Sequence, residues 1–183
     1  MKKIKYVALL RGINVGGNNV IKMDRLKILF EEMNFSGVKT YIQSGNVIFN
    51  DIENNKSKIK KTVERKLFDE LKNEVSTVLL TSAEMNEIID RKPDSFGEDS
   101  ENYKYDVFYP IEPLTTEEAV KEFDTRENVD KIYIGKNVLY MSRLKEELSK
   151  SRISKIIESK IYSKLTVRNW NTTKKLYEII KME

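Results

Sequence analysis

The order of predicted strands and helices repeats once along the chain, and this repeat limits the fold more than any other feature. Apolar runs rich in β-branched and aromatic residues predict strands at residues 4–10, 38–42, 47–49 and 77–80 of the first half. Apolar residues at helical spacing predict the two helices between them, namely Leu26, Leu29 and Phe30 in the first and Ile59, Val63 and Leu67 in the second. The first half therefore has the order β-α-β-β-α-β, and Thr81 with Glu84 indicates a capping box that opens an added helix.

The second half repeats this order. A strand is predicted at residues 105–109, Thr115 and Glu118 form a capping pair for a helix, and the segment IYIGKNVLYM predicts a hairpin. Helical sequence at residues 153–161, a short strand at residues 165–167 and a last helix follow. We therefore predict an α+β fold of two ferredoxin-like (βαββαβ) subdomains in tandem, each with an appended helix. A single mixed α/β sheet is the alternative layout.

The predicted division has three parts. An N-terminal ferredoxin-like subdomain covers residues 1–90, a linker covers residues 91–104, and a C-terminal ferredoxin-like subdomain covers residues 105–183. The linker RKPDSFGEDSENYK is polar and acidic and contains Pro and Gly, as segments between domains commonly do. A chain of 183 residues, 39% of them hydrophobic, is long enough to build a core in one large domain or two small ones.

Composition excludes several kinds of chemistry. The chain contains no Cys and no His, which excludes disulfides, thiolate nucleophiles, imidazole bases and nearly all zinc and copper sites. We therefore predict no metal site and leave the cofactor unassigned. No apolar run approaches the roughly 20 residues that span a membrane, and the basic start MKKIK lacks a small-residue cleavage site, so we expect a cytoplasmic protein with no membrane partner. The net charge of +4 is too small to indicate a nucleic-acid partner by itself.

Two glycine-containing segments are predicted to lie at one end of the first sheet. The segment LLRGINVGGNNV, residues 9–20, connects the first strand to the first helix, and QSGN, residues 43–46, connects the second strand to the third. The first and third strands are neighbours in a ferredoxin-like unit, so the two segments should meet and Arg11 should lie close to Asn46. The N-terminus of the helix adds backbone amides and a dipole that favour an anion.

The first segment does not match a nucleotide-binding P-loop. Gly12 and Gly17 have the outer spacing of that motif, but asparagines stand where it needs Lys and Ser or Thr. One interpretation is a structural turn in which the glycines supply positive φ and the asparagines bond locally. The other is that Arg11, Asn14 and exposed glycine amides converge on a phosphate or carboxylate. The local sequence supports both interpretations equally.

The segment TVRNWNTTKKL, residues 166–176, is the third polar motif. Asn171 is a suitable cap for the last helix, and Trp170, the only tryptophan, fits a core position beside it. Arg168 and Asn169 add a bidentate donor and an amide next to the same helix N-terminus, which suits an anion.

Together, LLRGINVGGNNV, TYIQSGNVIF and TVRNWNTTKKL resemble, in this order, the bacterial family catalogued as Domain of Unknown Function 1697. The resemblance covers essentially the whole chain and implies two α+β subdomains related to the ferredoxin-like fold, with no established activity. Val167 departs from the small residue that family members often have there. The resemblance and the loop chemistry together give our candidate ligand-binding residues: Arg11, Gly12, Asn14, Gly16, Gly17, Gln43, Ser44, Gly45, Asn46, Arg168, Asn169, Trp170, Asn171 and Thr172.

The first functional hypothesis is the binding, with or without turnover, of an anionic or phosphorylated small molecule at these loops. Arg168 and Asn171 are candidates to close the site from the second half. Whether the protein is an enzyme stays open: Arg11 and the amides would stabilise charge, but no acid or base stands out, with Asp24 and the tyrosines as the only candidates.

Binding of RNA or single-stranded nucleic acid is the alternative. Tyr6, Tyr41 and Phe49 lie on predicted strands, where aromatic residues of some ferredoxin-like sheets stack bases. Against this, SGNVIF does not resemble the signature of those domains, and aromatic residues on strands are common in cores. A third class is an interaction module that uses the acidic segment at residues 84–130. The sequence leaves the oligomeric state open.

Overall fold

The computed structural model describes residues 3–182. Two compact units make up the chain: Met1–Met85 with Leu176–Glu183, called here the first unit, and Asn86–Lys175, called the second unit. Each contains a four-stranded antiparallel sheet with helices, consistent with two tandem ferredoxin-like subdomains, which confirms the predicted fold class. The predicted boundaries at residues 90 and 104 stay a prediction.

The first unit follows the predicted order of elements. Its elements are β1 (Ile4–Leu10), α1 (Met23–Glu32), β2 (Ser36–Tyr41), β3 (Asn46–Asp51), α2 (Lys56–Leu71), β4 (Thr77–Thr81) and the start of α3 (Ser82–Asp90). The strand order in the sheet is β2-β3-β1-β4, with β1 antiparallel to both neighbours. The predicted capping box is present, because the Glu84 amide donates to the Thr81 hydroxyl and the Thr81 amide donates to the Glu84 carboxylate.

The core of the first unit lies between the sheet and α1 and α2. Leu26 and Leu29 of α1 and Val63 and Leu67 of α2 are fully buried at helical spacing, as their sequence periodicity predicts. Ile13, which lies in the loop after β1, is also part of this core. The loop is therefore anchored to the core by an apolar side chain near its start.

The second unit repeats the strand order. Its strands and helices are β5 (Tyr103–Pro110), α4 (Thr116–Val120), β6 (Asp130–Gly135), β7 (Val138–Leu144), β8 (Leu165–Asn169) and the start of α5 (Trp170–Lys181). The strands are arranged as β6-β7-β5-β8. The predicted Thr115–Glu118 capping box opens α4. Phe96, from the predicted linker, is buried against Tyr105, Tyr140 and Trp170.

The connection from β7 to β8 differs from the predicted helix. It consists of three 3₁₀ segments, Lys145–Lys150, Ile153–Glu158 and Lys160–Lys164. The Ser151 hydroxyl and the Arg152 amide donate to the buried Asp130 carboxylate, at 2.6 and 2.8 Å. Because these bonds fix the chain between the first two segments, and serine and isoleucine are weak helix formers, no continuous α-helix forms there.

Candidate functional site

The loop after β1 and the β2–β3 hairpin contact each other, as the topology predicts. The Leu10 amide donates to the Gly45 carbonyl at 2.8 Å, and Leu9 is paired with Asn46 in the sheet. A Cβ atom on Gly45, which has φ of +70°, would lie 2.9 Å from the Cβ of Ile13. Only glycine allows this close approach, and it holds the two polar segments side by side.

The loop itself is built from left-handed residues. Gly12, Asn14, Gly16, Gly17 and Asn19 all have positive φ, between 47° and 78°. Glycine and asparagine are the residues that adopt this conformation most readily, so the composition of the segment is explained by its geometry. The Asn19 side chain donates to the Gly12 carbonyl at 3.3 Å and closes the loop.

Asn14 braces the loop against the hairpin. Its side-chain amide donates to the carbonyls of Ile21 and Gln43, each at 3.0 Å, and its side-chain oxygen accepts from the Ile21 amide at 2.8 Å. Both side-chain protons of Asn14 are therefore used within the protein. A direct contact of Asn14 with a ligand stays a prediction, while its role in positioning the loop is visible.

Asn46 has the matching role in the hairpin. It is fully buried, and its side-chain amide donates to the Tyr41 carbonyl and the Ser44 hydroxyl, each at 3.0 Å. Ile42 lies between the two carbonyls that Asn46 and Asn14 hold, and has φ of +47°. A β-branched residue in this conformation is strained, and the paired asparagines fix the backbone on both sides of it. No local sequence pattern predicts this strain.

Several of the candidate residues at this site are exposed or half-buried. Arg11 is half-buried at the start of the loop, and its amide donates to the Ser76 carbonyl at 2.9 Å. Gly16 and Gly17 are exposed, and within residues 3–182 their amides donate to no protein acceptor. Gln43, whose carbonyl accepts from Asn14, is exposed. Helix α1 starts after Lys22, which provides no side-chain cap.

The last polar motif lies in the second unit, at the junction of β8 and α5. Asn169 accepts from the Asn171 amide at 3.0 Å and donates to the Tyr105 carbonyl at 2.9 Å, so Asn169 caps the helix and the predicted cap at Asn171 is wrong. Trp170 already belongs to the helix and is buried, Asn171 is exposed, and Thr172 is half-buried in the first turn.

Arg168 is a buried cation on the sheet of the second unit. Its exposed fraction is 8%, it is paired with Val107 across the strands, and it donates to the Val167 carbonyl at 2.8 Å. Burial lowers the pKa of Arg168 to about 10, so the guanidinium stays charged at neutral pH. Burial also raises the pKa of nearby Tyr109, whose hydroxyl bonds to Thr173. A contribution of Arg168 to the Arg11 site stays a prediction.

A cleft of about 110 Å³ lies at this junction in the second unit. Gly97, Ser100, Tyr103, Lys104, Tyr105, Lys145, Asn169, Trp170 and Asn171 line it. Our sequence analysis identified only the last three. The others come from one stretch, residues 97–105, and from Lys145 at the start of a 3₁₀ segment, and no local pattern marks these parts as neighbours of the start of α5.

Two of the aromatic residues on the predicted strands are buried in the core. Tyr6 and Phe49 are fully buried and stacked, with ring centroids 5.6 Å apart, in the core of the first unit. They therefore offer no surface for base stacking. Within residues 3–182, no helix is long and apolar enough to cross a membrane, and no three acidic side chains are grouped as metal ligands would be.

Together, these features define a class of protein with two α+β units, each built on an antiparallel four-stranded sheet, and an asparagine-braced glycine loop in the first. The chain belongs to the family described as "Protein of unknown function (DUF1697)", which matches residues 3–140 and confirms the resemblance. That match ends before Arg168.

One solved structure is similar over nearly the whole chain. It is "The structure of conserved bacterial protein SP0830 from Streptococcus pneumoniae", with 24% identity over 98% of this chain and 99% of that one, and a TM-score of 0.86. This likeness supports the fold alone. No curated protein matches the sequence.

Proposed function

We propose that the protein binds an anionic or phosphorylated small molecule at the loop after β1, beside the β2–β3 hairpin. The observation that carries this proposal is the exposure of the backbone amides of Gly16 and Gly17. Both have positive φ, a Cβ atom on either would meet nothing within 4 Å, and within the described residues their amides have no protein acceptor. Exposed amides in left-handed turns are groups that bind anions in other proteins.

Arg11 supplies the charge in this proposal. It follows β1 directly, and its backbone is held by a hydrogen bond to Ser76 on the neighbouring segment. A guanidinium carries five N–H donors in a planar fork that suits the two oxygens of a phosphate or carboxylate. The exposed Gln43 adds an amide from the hairpin. The site therefore combines one cation, backbone amides and a neutral donor.

The rigidity of the loop favours a small ligand. Asn14 and Asn19 tie the loop to itself, and Ile13 anchors it in the core. A loop whose donors are already placed binds with a smaller loss of conformational entropy. Tyr6 and Phe49, two of the three strand aromatics behind the nucleic-acid alternative, are buried, and this favours a small ligand over that alternative.

A thermal-shift screen with nucleotides, sugar phosphates and an acyl phosphate tests the proposal. We expect at least one compound to raise the Tm of the wild-type protein, and we expect Arg11→Ala to weaken its affinity by about tenfold or more, because a charge-assisted hydrogen bond is lost. Arg65→Ala is the matched control, since Arg65 is an exposed arginine on α2.

Arg65→Ala should keep the affinity of the wild type. If no compound stabilised the wild-type protein more than the Arg11→Ala variant, or if both variants lost affinity equally, the proposed site would be wrong. Titration calorimetry of the best compound would give the dissociation constants for this comparison.

A further inference from the structure

The cleft in the second unit contains a hydrogen-bond donor that the fold leaves unused. Trp170 is 96% buried, with an exposed fraction of only 4%, yet within residues 3–182 its indole nitrogen donates to no protein acceptor. A Cβ atom on Gly97 would lie 2.2 Å from this nitrogen, and Gly97 and Trp170 both line the cleft. The N–H edge of the indole therefore lies at the cleft wall that Gly97 forms.

This nitrogen also keeps contact with solvent. It is not among the fully enclosed polar atoms that lack a partner in the described part of the chain. Indole N–H groups usually find a hydrogen-bond partner when the ring is buried. An unpartnered donor that opens on a cleft therefore points to an acceptor that comes from outside the protein.

The remaining polar groups of the cleft favour a negatively charged acceptor. The Lys145 ammonium donates to the Ser100 carbonyl at 2.7 Å, and the Lys104 ammonium lies 3.9 Å from a carboxylate oxygen of Asp106. An ammonium has three N–H donors, so each lysine keeps donors for a further acceptor. That Asp106 oxygen is itself held by Arg143 at 2.5 Å, which partly neutralises it.

The start of α5 adds to this charge. The helix is 12 residues long, and Asn169 caps only one of its first amides. The remaining amides of the first turn and the helix dipole favour an anion beside Asn171. A volume of about 110 Å³ suits one anionic group, whereas the pockets that bind whole drug-sized ligands have volumes of about 300 Å³ or more.

We propose that this cleft is a second binding site, separate from the Arg11 loop, which takes the phosphate or carboxylate group of a small molecule. The indole of Trp170, the ammonium groups of Lys104 and Lys145 and the first turn of α5 surround the oxygens of that group. Tyr103 and Tyr105 form the aromatic part of the wall.

The single tryptophan makes a direct test possible, because the chain has one indole ¹H–¹⁵N resonance. Inorganic phosphate and acetate are titrated separately into the ¹⁵N-labelled protein, with chloride used to hold the ionic strength constant. We expect the indole resonance to shift and saturate with at least one of the two anions. A response to phosphate alone identifies a phosphate site, and a response to acetate alone identifies a carboxylate site.

Variants separate specific binding from general screening. The double change Lys104→Gln with Lys145→Gln should weaken the apparent affinity by about tenfold or more, since two charge-assisted donors are removed. Lys155→Gln, at an exposed lysine outside the cleft, should keep the wild-type affinity. Arg11→Ala should also leave this titration unchanged, so failure of the loop site and failure of the cleft are distinguishable.

Three results would overturn the proposal. The indole resonance could stay in place at tens of millimolar of both anions, it could shift equally with chloride, or it could shift with the same affinity in the double variant and in Lys155→Gln. Circular dichroism of each variant confirms that the fold is kept before these titrations are compared.

Discussion

Ile42 shows how single side chains set the backbone of the candidate loop site. Its neighbours Tyr41 and Gln43 have their carbonyls held by the side chains of Asn46 and Asn14, and Ile42 takes a φ of +47° between them. Its own side chain is 48% exposed, so little packing compensates for the conformation. The strain is therefore supported by two asparagine hydrogen bonds, one from the loop after β1 and one from β3.

We expect Ile42→Asn to stabilise the protein by about 1 kcal/mol, because asparagine enters the left-handed region at lower cost than a β-branched residue. Chemical denaturation of the wild type and the variant measures the change. Ile28→Asn is the control, since Ile28 is equally exposed but lies in α1 with helical φ. That control should be slightly destabilised by its lower helix propensity. A loss of stability in Ile42→Asn would show that the conformation carries no strain.

For single residues, the sequence predicts backbone conformations better than functional roles. The turn interpretation predicts positive φ for Gly16 and Gly17, and both residues have it. A ligand contact of Asn14 stays a prediction, whereas its bracing of the loop against the hairpin is visible only in the structure. The bond to Gln43 joins segments far apart in sequence, and a local pattern contains no information on it.

At the scale of elements, the sequence predicts those with regular periodicity. Strands β1 and β4 and helices α1 and α2 follow the apolar spacing that predicts them. The connection between β7 and β8 also has apolar residues at helical spacing, but it forms 3₁₀ segments. The reason is a tertiary contact, because the carboxylate of Asp130, at the start of β6, accepts hydrogen bonds from the Ser151 hydroxyl and the Arg152 amide.

Asp130→Asn should therefore loosen this connection. Asp130 also accepts from the Arg126 amide at 2.9 Å, and replacing a carboxylate oxygen by an NH₂ group leaves donors facing a donor. We expect a loss of about 1–3 kcal/mol in the free energy of unfolding at neutral pH. The substitution should accelerate amide hydrogen exchange more at residues 151–164 than in α2. Asp94→Asn, at an exposed carboxylate on the same unit, should change neither quantity.

The loss of unfolding free energy in Asp130→Asn should depend on pH in a defined direction. Burial alone would raise the pKa of Asp130, but hydrogen bonds from Ser151 and from the backbone amides of Arg126, Arg152 and Ile153 hold the pKa below its ordinary value. Its contribution is therefore complete above the unfolded pKa of about 3.9 and disappears as the pH falls through the folded pKa. The stability difference between wild type and Asp130→Asn should shrink at acid pH; a constant difference would contradict the assignment.

At the scale of the whole molecule, the repeat in the sequence predicts the architecture, because strand order follows from the order of elements once the ferredoxin-like topology is assumed. The location of ligand sites is less predictable. The proposed loop site draws on two segments, residues 11–17 and 43–46, which the predicted topology brings together, while the cleft is assembled from Gly97, Lys104, Lys145 and Trp170, which only the folded chain brings together. The burial of tyrosine hydroxyls also depends on the complete fold.

Burial is the largest cause of a raised pKa in four of the nine tyrosines, namely Tyr6, Tyr105, Tyr109 and Tyr140. The pKa of Tyr140 is raised to about 12. Since these hydroxyls stay neutral in the folded state, their contribution to stability is complete below pH 10 and is lost as the pH rises through the folded values. Between pH 10 and 12 the native protein should therefore absorb less at the tyrosinate band than the urea-unfolded protein, and its unfolding midpoint in urea should fall. Tyr109→Phe should reduce the absorbance difference, whereas equal native and unfolded titration curves would show that these hydroxyls are not protected by the fold.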